Sequence, residues 1–234
     1  MLNTTASGHL NVGLLLFPEL DQLDFTGPFE VLSRMPDSTV HLLWKNTAPV
    51  KDMMGLVLQP TATLKAAPPL DVLVVPGGYG QQALMEDAEV IDYVREQGER
   101  AKYVVSVCTG ALILGAAGLL KGYRATTHWT AVSLLAHLGA VHVDQRVVVD
   151  RNRVTCGGVT SGIDGALALV ALLRGEQAAQ EIQLYMEYSP APPFKSGSPG
   201  TAPAAVLEAV TQRAQKMLLA RSETCKRIAV RLGV

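Results

Sequence analysis

One thiol carries the strongest chemical signal in this chain of 234 residues. In Val104-Val105-Ser106-Val107-Cys108-Thr109-Gly110-Ala111-Leu112 a β-branched run stops at Cys108, and a small-residue helical pattern begins directly after it. A cysteine at such a strand-to-helix junction lies near the free N–H groups of the helix start, whose partial positive charge favours thiolate over thiol. The small neighbours Ser106, Thr109 and Gly110 suit a sharp turn with close backbone approach, as in the Gly-x-Ser-x-Gly nucleophile elbow. Cys156 and Cys225 have no comparable context; Cys156 is expected in the core and Cys225 on a terminal helix. Three cysteines without metal-ligand or CxxC spacing predict neither a disulfide framework nor a metal site.

A nucleophilic cysteine needs a proton partner, most often histidine. The candidates are His9, His41, His128, His137 and His142; none follows Cys108 directly and none lies in the last third of the chain. His128, at the end of the strand that follows the cysteine helix, is the histidine placed to line the site. The other candidate is a carboxylate in Leu20-Asp21-Gln22-Leu23-Asp24-Phe25-Thr26-Gly27-Pro28. Asp21 or Asp24 can simply initiate the next helix. Asp24, however, lies between apolar Leu23 and Phe25, which predicts partial burial. A carboxylate half-buried beside a thiolate has its pKa raised by desolvation and by the like charge, which makes it a proton donor at neutral pH. Pro76-Gly77-Gly78 offers backbone N–H groups unshielded by side chains, suited to developing negative charge.

The elements that must position these groups alternate along the chain. Strands are expected at 11–17, 40–45, 71–75, 102–107 and 124–127, with a small hairpin within 55–63. Helices are expected at 28–34 with Pro28 in the first turn, from about 81 to 100, after Cys108 to 117, at 130–138 and at 161–173. Segments 141–149 and 153–156 read as an antiparallel pair. Continuously apolar strands separated by helices predict an α/β fold, a mostly parallel central sheet with helices on both faces. Ligands in such folds gather beyond the carboxyl ends of the strands. Residues 189–203, rich in Pro, Gly and Ser, read as a surface loop before a last helix at 204–231, which packs back on the domain or on a partner subunit. The organisation expected is a tail at 1–10 and a single domain at 11–234.

Hydrophobic residues make up 48% of the chain and charged residues 18%, which is globular composition. A net charge of -1 with no basic stripe predicts partners other than nucleic acid or anionic membrane. The N-terminus lacks a basic n-region and a long apolar stretch, so a cytoplasmic protein is the expectation.

Together, Leu23-Asp24-Phe25-Thr26-Gly27-Pro28, Pro76-Gly77-Gly78, Ser106-Val107-Cys108-Thr109-Gly110, Ala125-Thr126-Thr127-His128-Trp129 and Gly157-Gly158-Val159-Thr160-Ser161-Gly162-Ile163-Asp164 resemble the PfpI-type superfamily, from about residue 11 to 173. That resemblance implies a glutamine-amidotransferase-like, flavodoxin-like three-layer sandwich with a nucleophile elbow. Glu187-Tyr188-Ser189-Pro190-Ala191-Pro192-Pro193-Phe194 and Gly197-Ser198-Pro199 are similar to its isocyanide-hydrating branch. The implied activity is hydration of isocyanides to N-substituted formamides by a homodimer without metal or organic cofactor. The implied catalytic residues are Cys108 as nucleophile, Asp24 as acid and Thr109; Gly77, Gly78, Thr26, His128 and Val159 are the expected substrate- or oxyanion-binding positions. Proteolytic and deglycase relatives carry glutamate where this chain has Asp24, and the protease branch has histidine where it has Thr109. Competing readings are a deglycase, glyoxalase or amidase of the same superfamily, a redox sensor, and the sensory domain of an AraC-like regulator. The last requires a helix-turn-helix, for which the region from Ala204 onward supplies only one helical segment.

Overall fold

The computed structural model describes residues 8–234. In chain order its elements are β1 (Leu10–Leu15), α1 (Gln22–Leu32), β2 (Ser38–Trp44), β3 (Val50–Lys51), β4 (Val57–Leu58), β5 (Ala62–Thr63), β6 (Val72–Val75), α2 (Gln81–Leu84), α3 (Ala88–Arg100), β7 (Tyr103–Ser106), α4 (Gly110–Ala116) and β8 (Arg124–Ala125). After two 3-10 turns, Trp129–Leu134 and Ala136–Leu138, come β9 (Val141–His142), β10 (Val147–Asp150), β11 (Arg153–Cys156), α5 (Ser161–Arg174), α6 (Glu176–Tyr185) and α7 (Ala204–Leu232).

The main sheet has the order β10-β11-β7-β6-β1-β2-β5. Every pair in it is parallel except β10 with β11. β6 and β11 are buried at every position, as strands covered on both faces must be. Helices α1, α5 and α6 pack together as one group, and α2, α3 and α4 as another, with α7 against α2 and the 3-10 turns. The result is the flavodoxin-like α/β architecture. Strand order reverses between β1 and β6, so the loops after β1, β6 and β7 converge at the carboxyl edge of the sheet, where such folds hold ligands.

Several local expectations are corrected. Helix α1 starts at Gln22, six residues before Pro28, because Asp21 caps it by accepting from Leu23 N–H at 3.1 Å; Pro28 therefore sits inside the helix. That early start brings Asp24 into the first turn. The expected helix at 130–138 is two 3-10 turns, closed by left-handed Gly139. Val141–His142 pairs in parallel with β8, outside the main sheet, and only β10 and β11 form the antiparallel pair. The hairpin forms between β3 and β4, whereas β5 joins the main sheet as an edge strand. Helix α6 was not expected; Gly175, at φ 91°, separates it from α5. Of the expected tail, residues 1–7 lie outside the described residues, and Leu10 is already fully buried in β1. No helix among the described residues is long and apolar enough to cross a membrane.

Candidate active site

Strand β7 ends at Ser106, Val107 N–H donates to Val75 O at 3.0 Å, and the chain turns sharply at Cys108. Cys108 has φ 54°, a left-handed conformation costing about 1–3 kcal/mol in a non-glycine residue. The surroundings hold it there: Cys108 N–H donates to Gly157 O at 2.8 Å, and Thr127 Oγ1 donates to Cys108 O at 2.7 Å. Helix α4 then starts close over the end of β6. A Cβ on Gly110 would lie 2.1 Å from Val75 O, so only glycine fits. This is the sharp strand-to-helix elbow expected from the sequence.

Three loops meet around Gly77. Gly77 N–H donates to Asp24 Oδ2 at 2.8 Å, and Gly78 N–H donates more weakly to Thr109 Oγ1 at 3.3 Å. A Cβ on Gly77 would lie 2.5 Å from Thr109 Oγ1, 2.6 Å from Thr109 N and 2.9 Å from Asp24 Oδ2. Gly78, at φ 127°, leaves no room for a Cβ either, because Asp21 N would be 2.4 Å away. The two glycines thus draw the acid, the threonine and the elbow together. Their N–H groups hold Asp24 and Thr109, which corrects the expectation that they stand free for an oxyanion.

Asp24 is completely buried, beyond the partial burial expected. Burial, reinforced by the charge of Asp21, pushes its pKa up to about 8 against the pull of the Gly77 N–H and the Cys108 side chain. The carboxyl therefore holds a proton at neutral pH. Its second oxygen, Oδ1, is buried without a full hydrogen bond.

Cys108 departs from expectation. Burial first, and then the charge of Asp24, raise the thiol well above its usual range, while Thr109 N–H and Arg221 pull it down. The helix start favours the thiolate, but desolvation outweighs it. Cys108 and Asp24 titrate as a pair, and protonating Asp24 removes the charge that opposes the thiolate.

A cavity of about 670 Å³ opens onto Cys108, Thr109, Gly78, His128 and Val159. Gly77 and Thr26 are not on its wall. Thr26 Oγ1 donates to Gln22 Oε1 at 2.9 Å; two residues on from Asp24 it points around the helix, since positions i and i+2 do not share a face. His128 Nδ1 is engaged by Thr130, 2.8 Å from its Oγ1 and accepting from its N–H at 3.3 Å. Burial lowers its pKa, so it stands at the wall as a neutral imidazole. Cys156 and Cys225 are buried, and burial pushes each thiol up to about 12.

The sequence reading missed the cavity's outer wall. It comes from α7, through residues such as Val210, Met217, Leu218 and Arg221, with Met53 and Tyr79 from nearer the sheet. Arg227 anchors α7 by two bonds to Glu86, at 2.9 and 2.7 Å. A helix starting 96 residues after Cys108, beyond an irregular loop, leaves no local signal of this role.

Comparison with known proteins agrees with this fold. The profile of the DJ-1/PfpI family matches residues 11–172. The chain belongs to the DJ-1/PfpI family. It is 53% identical to an isonitrile hydratase of Pseudomonas putida over 96% of this chain and 99% of that protein. A crystal structure of a THiJ/PfpI family protein from Pseudomonas syringae superposes with a TM-score of 0.90 at 41% identity, over 95% of this chain and 91% of that one. The HTH-type transcriptional regulator GbdR of Pseudomonas aeruginosa is 32% identical, but over 55% of this chain and only 35% of the regulator.

Proposed function

We propose that this DJ-1/PfpI protein is an isocyanide hydratase, converting R–N≡C and water to R–NH–CHO. The carrying observation is a buried, protonated carboxylic acid at the cysteine elbow, in a chain similar over nearly its whole length to an isonitrile hydratase. An isocyanide is attacked at its terminal carbon, and the attack leaves a basic carbon that needs a proton. An acid near neutral pKa suits that step better than a strong base.

In this reading the Cys108 thiolate adds to the terminal carbon, and Asp24 gives its proton to that carbon. The product is a thioimidate, R–N=CH–S–Cys108, with Asp24 now a carboxylate. Asp24 next takes a proton from water as its oxygen adds to the same carbon, and passes that proton to nitrogen. In the last step Asp24 takes the hydroxyl proton, the C=O bond forms and the thiolate leaves. The site returns to thiolate plus acid with R–NH–CHO released. Gly77 N–H orients Asp24, and Thr109 ties the Gly78 turn to the elbow. Val159 and the apolar side chains of α7 receive the R group, and the cavity volume falls in the usual range for an organic ligand. His128 offers a neutral imidazole at the wall.

The enzyme acts as a cytoplasmic homodimer on a small molecule, with neither nucleic acid nor membrane as partner. The hydratase reading is favoured over the regulator reading because the likeness to the isonitrile hydratase is 53% over 96% of this chain, against 32% over 55% for GbdR. The test is mass spectrometry of the protein mixed with an isocyanide. Formamide should accumulate with a transient adduct on Cys108, and Cys108→Ala should give neither. Turnover of methylglyoxal with none of isocyanide would instead establish the glyoxalase alternative.

A further inference from the structure

Arg221 is a cation in an unusual place. Only 8% of it is exposed, and its single hydrogen bond runs from Nη2 to Gly78 O at 2.8 Å. Its Nε is buried without a partner, and no carboxylate among the described residues forms an ion pair with it. Burying a guanidinium is costly unless an opposite charge or full hydrogen bonding offsets the loss of water. The groups whose negative forms would favour it are Cys108, Cys225 and Tyr79. Cys225 is not on the cavity wall, and Tyr79 is half exposed to solvent. Cys108 shares the cavity wall with Arg221 and is the group there whose thiolate, once formed, the guanidinium would offset.

The hydrogen bonds give the same assignment. Gly78 accepts from Arg221 through its carbonyl and donates through its N–H to Thr109 Oγ1, beside the nucleophile. Arg221 thus touches the turn that organises the site and lines the same cavity as Cys108.

We propose that Arg221, supplied by the C-terminal helix, is a positioning residue that holds Cys108 in its reactive anionic form and fixes the Gly78 turn. The inference builds on the hydratase reading, but the state of Cys108 can be measured without any isocyanide. The charged groups around the sulfur are Asp21 and Asp24 from the segment entering α1, and Arg221 from α7; His128 is neutral. Arg213 and Lys216 stand further out at the cavity mouth, both exposed. Of the cations, Arg221 is the one that acts on the thiol.

The experiment is alkylation of Cys108 by iodoacetamide, followed by intact mass across pH, in the full-length protein and two variants. Arg221→Gln keeps a donor for the Gly78 carbonyl and removes the charge. Its alkylation profile should move up by about one pH unit, with about tenfold slower alkylation at pH 7. Arg221→Lys keeps the charge and should retain the wild-type profile. A Gln variant that folds with an unshifted profile overturns the proposal, because a purely structural arginine would alter thermal stability alone. If Arg221→Gln does not fold, Arg221→Met, which keeps the apolar stem and removes the charge, takes its place: an upward shift of about one unit supports the proposal, and an unshifted profile overturns it. Loss of isocyanide turnover with normal alkylation would count against the hydratase reading instead.

Discussion

Asp24→Asn should make this protein more stable and inactive at the same time. Asp24 has a folded-state pKa near 8 against 3.8 in an unfolded chain. The native state therefore binds this proton more tightly than the unfolded state does. The carboxyl is harmless to stability below pH 3.8, and the folded state loses stability as pH rises from there through 8. Each pH unit in that window is worth about 1.4 kcal/mol, so wild type is disfavoured by about 1.5 kcal/mol at pH 5 and by about 4 kcal/mol at pH 7. Asparagine keeps the shape and an acceptor for Gly77 N–H, but it has no such proton equilibrium. Chemical denaturation of both proteins at pH 5, 7 and 9 should show a gap in favour of the variant that widens with pH and levels off above 8. Turnover should fall by about 10²–10⁴-fold, the usual contribution of a general acid. A gap that does not change with pH would mean that Asp24 is ionised in the folded protein, and its role as proton donor would fail.

Gly77→Ala tests the crowding at the centre of the site. The backbone there is ordinary, but the new methyl would lie within 3 Å of both Thr109 and Asp24. Overpacking should lower stability by about 1–3 kcal/mol, and the displaced acid should cut kcat/KM by about 100-fold, measured by thermal melts and isocyanide turnover. Thr109→Val removes the acceptor of Gly78 N–H while keeping the shape. It should reduce kcat with a loss of stability of about 1–2 kcal/mol. Thr26→Ala should leave kcat and KM unchanged, because its hydroxyl is bonded to Gln22 within α1.

What was legible in the sequence follows from how local each cause is. The apolar runs of β6 and β7, the glycines after β6 and the small residues after Cys108 act within a few positions, and they placed the elbow and the parallel sheet. Asp21 and Asp24 show the limit of that reading. Both aspartates could cap a helix; Asp21 does, while Asp24, three residues on and less than one turn away, is carried inward by a helix start that Pro28 had obscured. The thiolate expectation weighed the helix terminus without the burial, which only tertiary packing supplies. Arg221 depends on how α7 packs against α2 and the 3-10 turns after residues 189–203, and nothing near it in the chain marks it.

The paired acids also distinguish among reactions that share this elbow. A Cys–His hydrolase removes the thiol proton to an imidazole and later returns it to a leaving amine. Here the one imidazole on the cavity wall has its Nδ1 engaged by Thr130, and burial lowers its pKa, which suits it poorly to taking up the thiol proton. The proton store is Asp24, buried and neutral near pH 7 and held against the elbow by Gly77. Such a pair is ready to give a proton at the moment the sulfur gives electrons. Isocyanide carbon demands both at the same atom, first as nucleophile acceptor and then as proton acceptor. An amide carbonyl needs donors at its oxygen instead, and Gly77 and Gly78 hold theirs on Asp24 and Thr109. The arrangement therefore fits addition to a carbon that becomes basic better than it fits peptide cleavage.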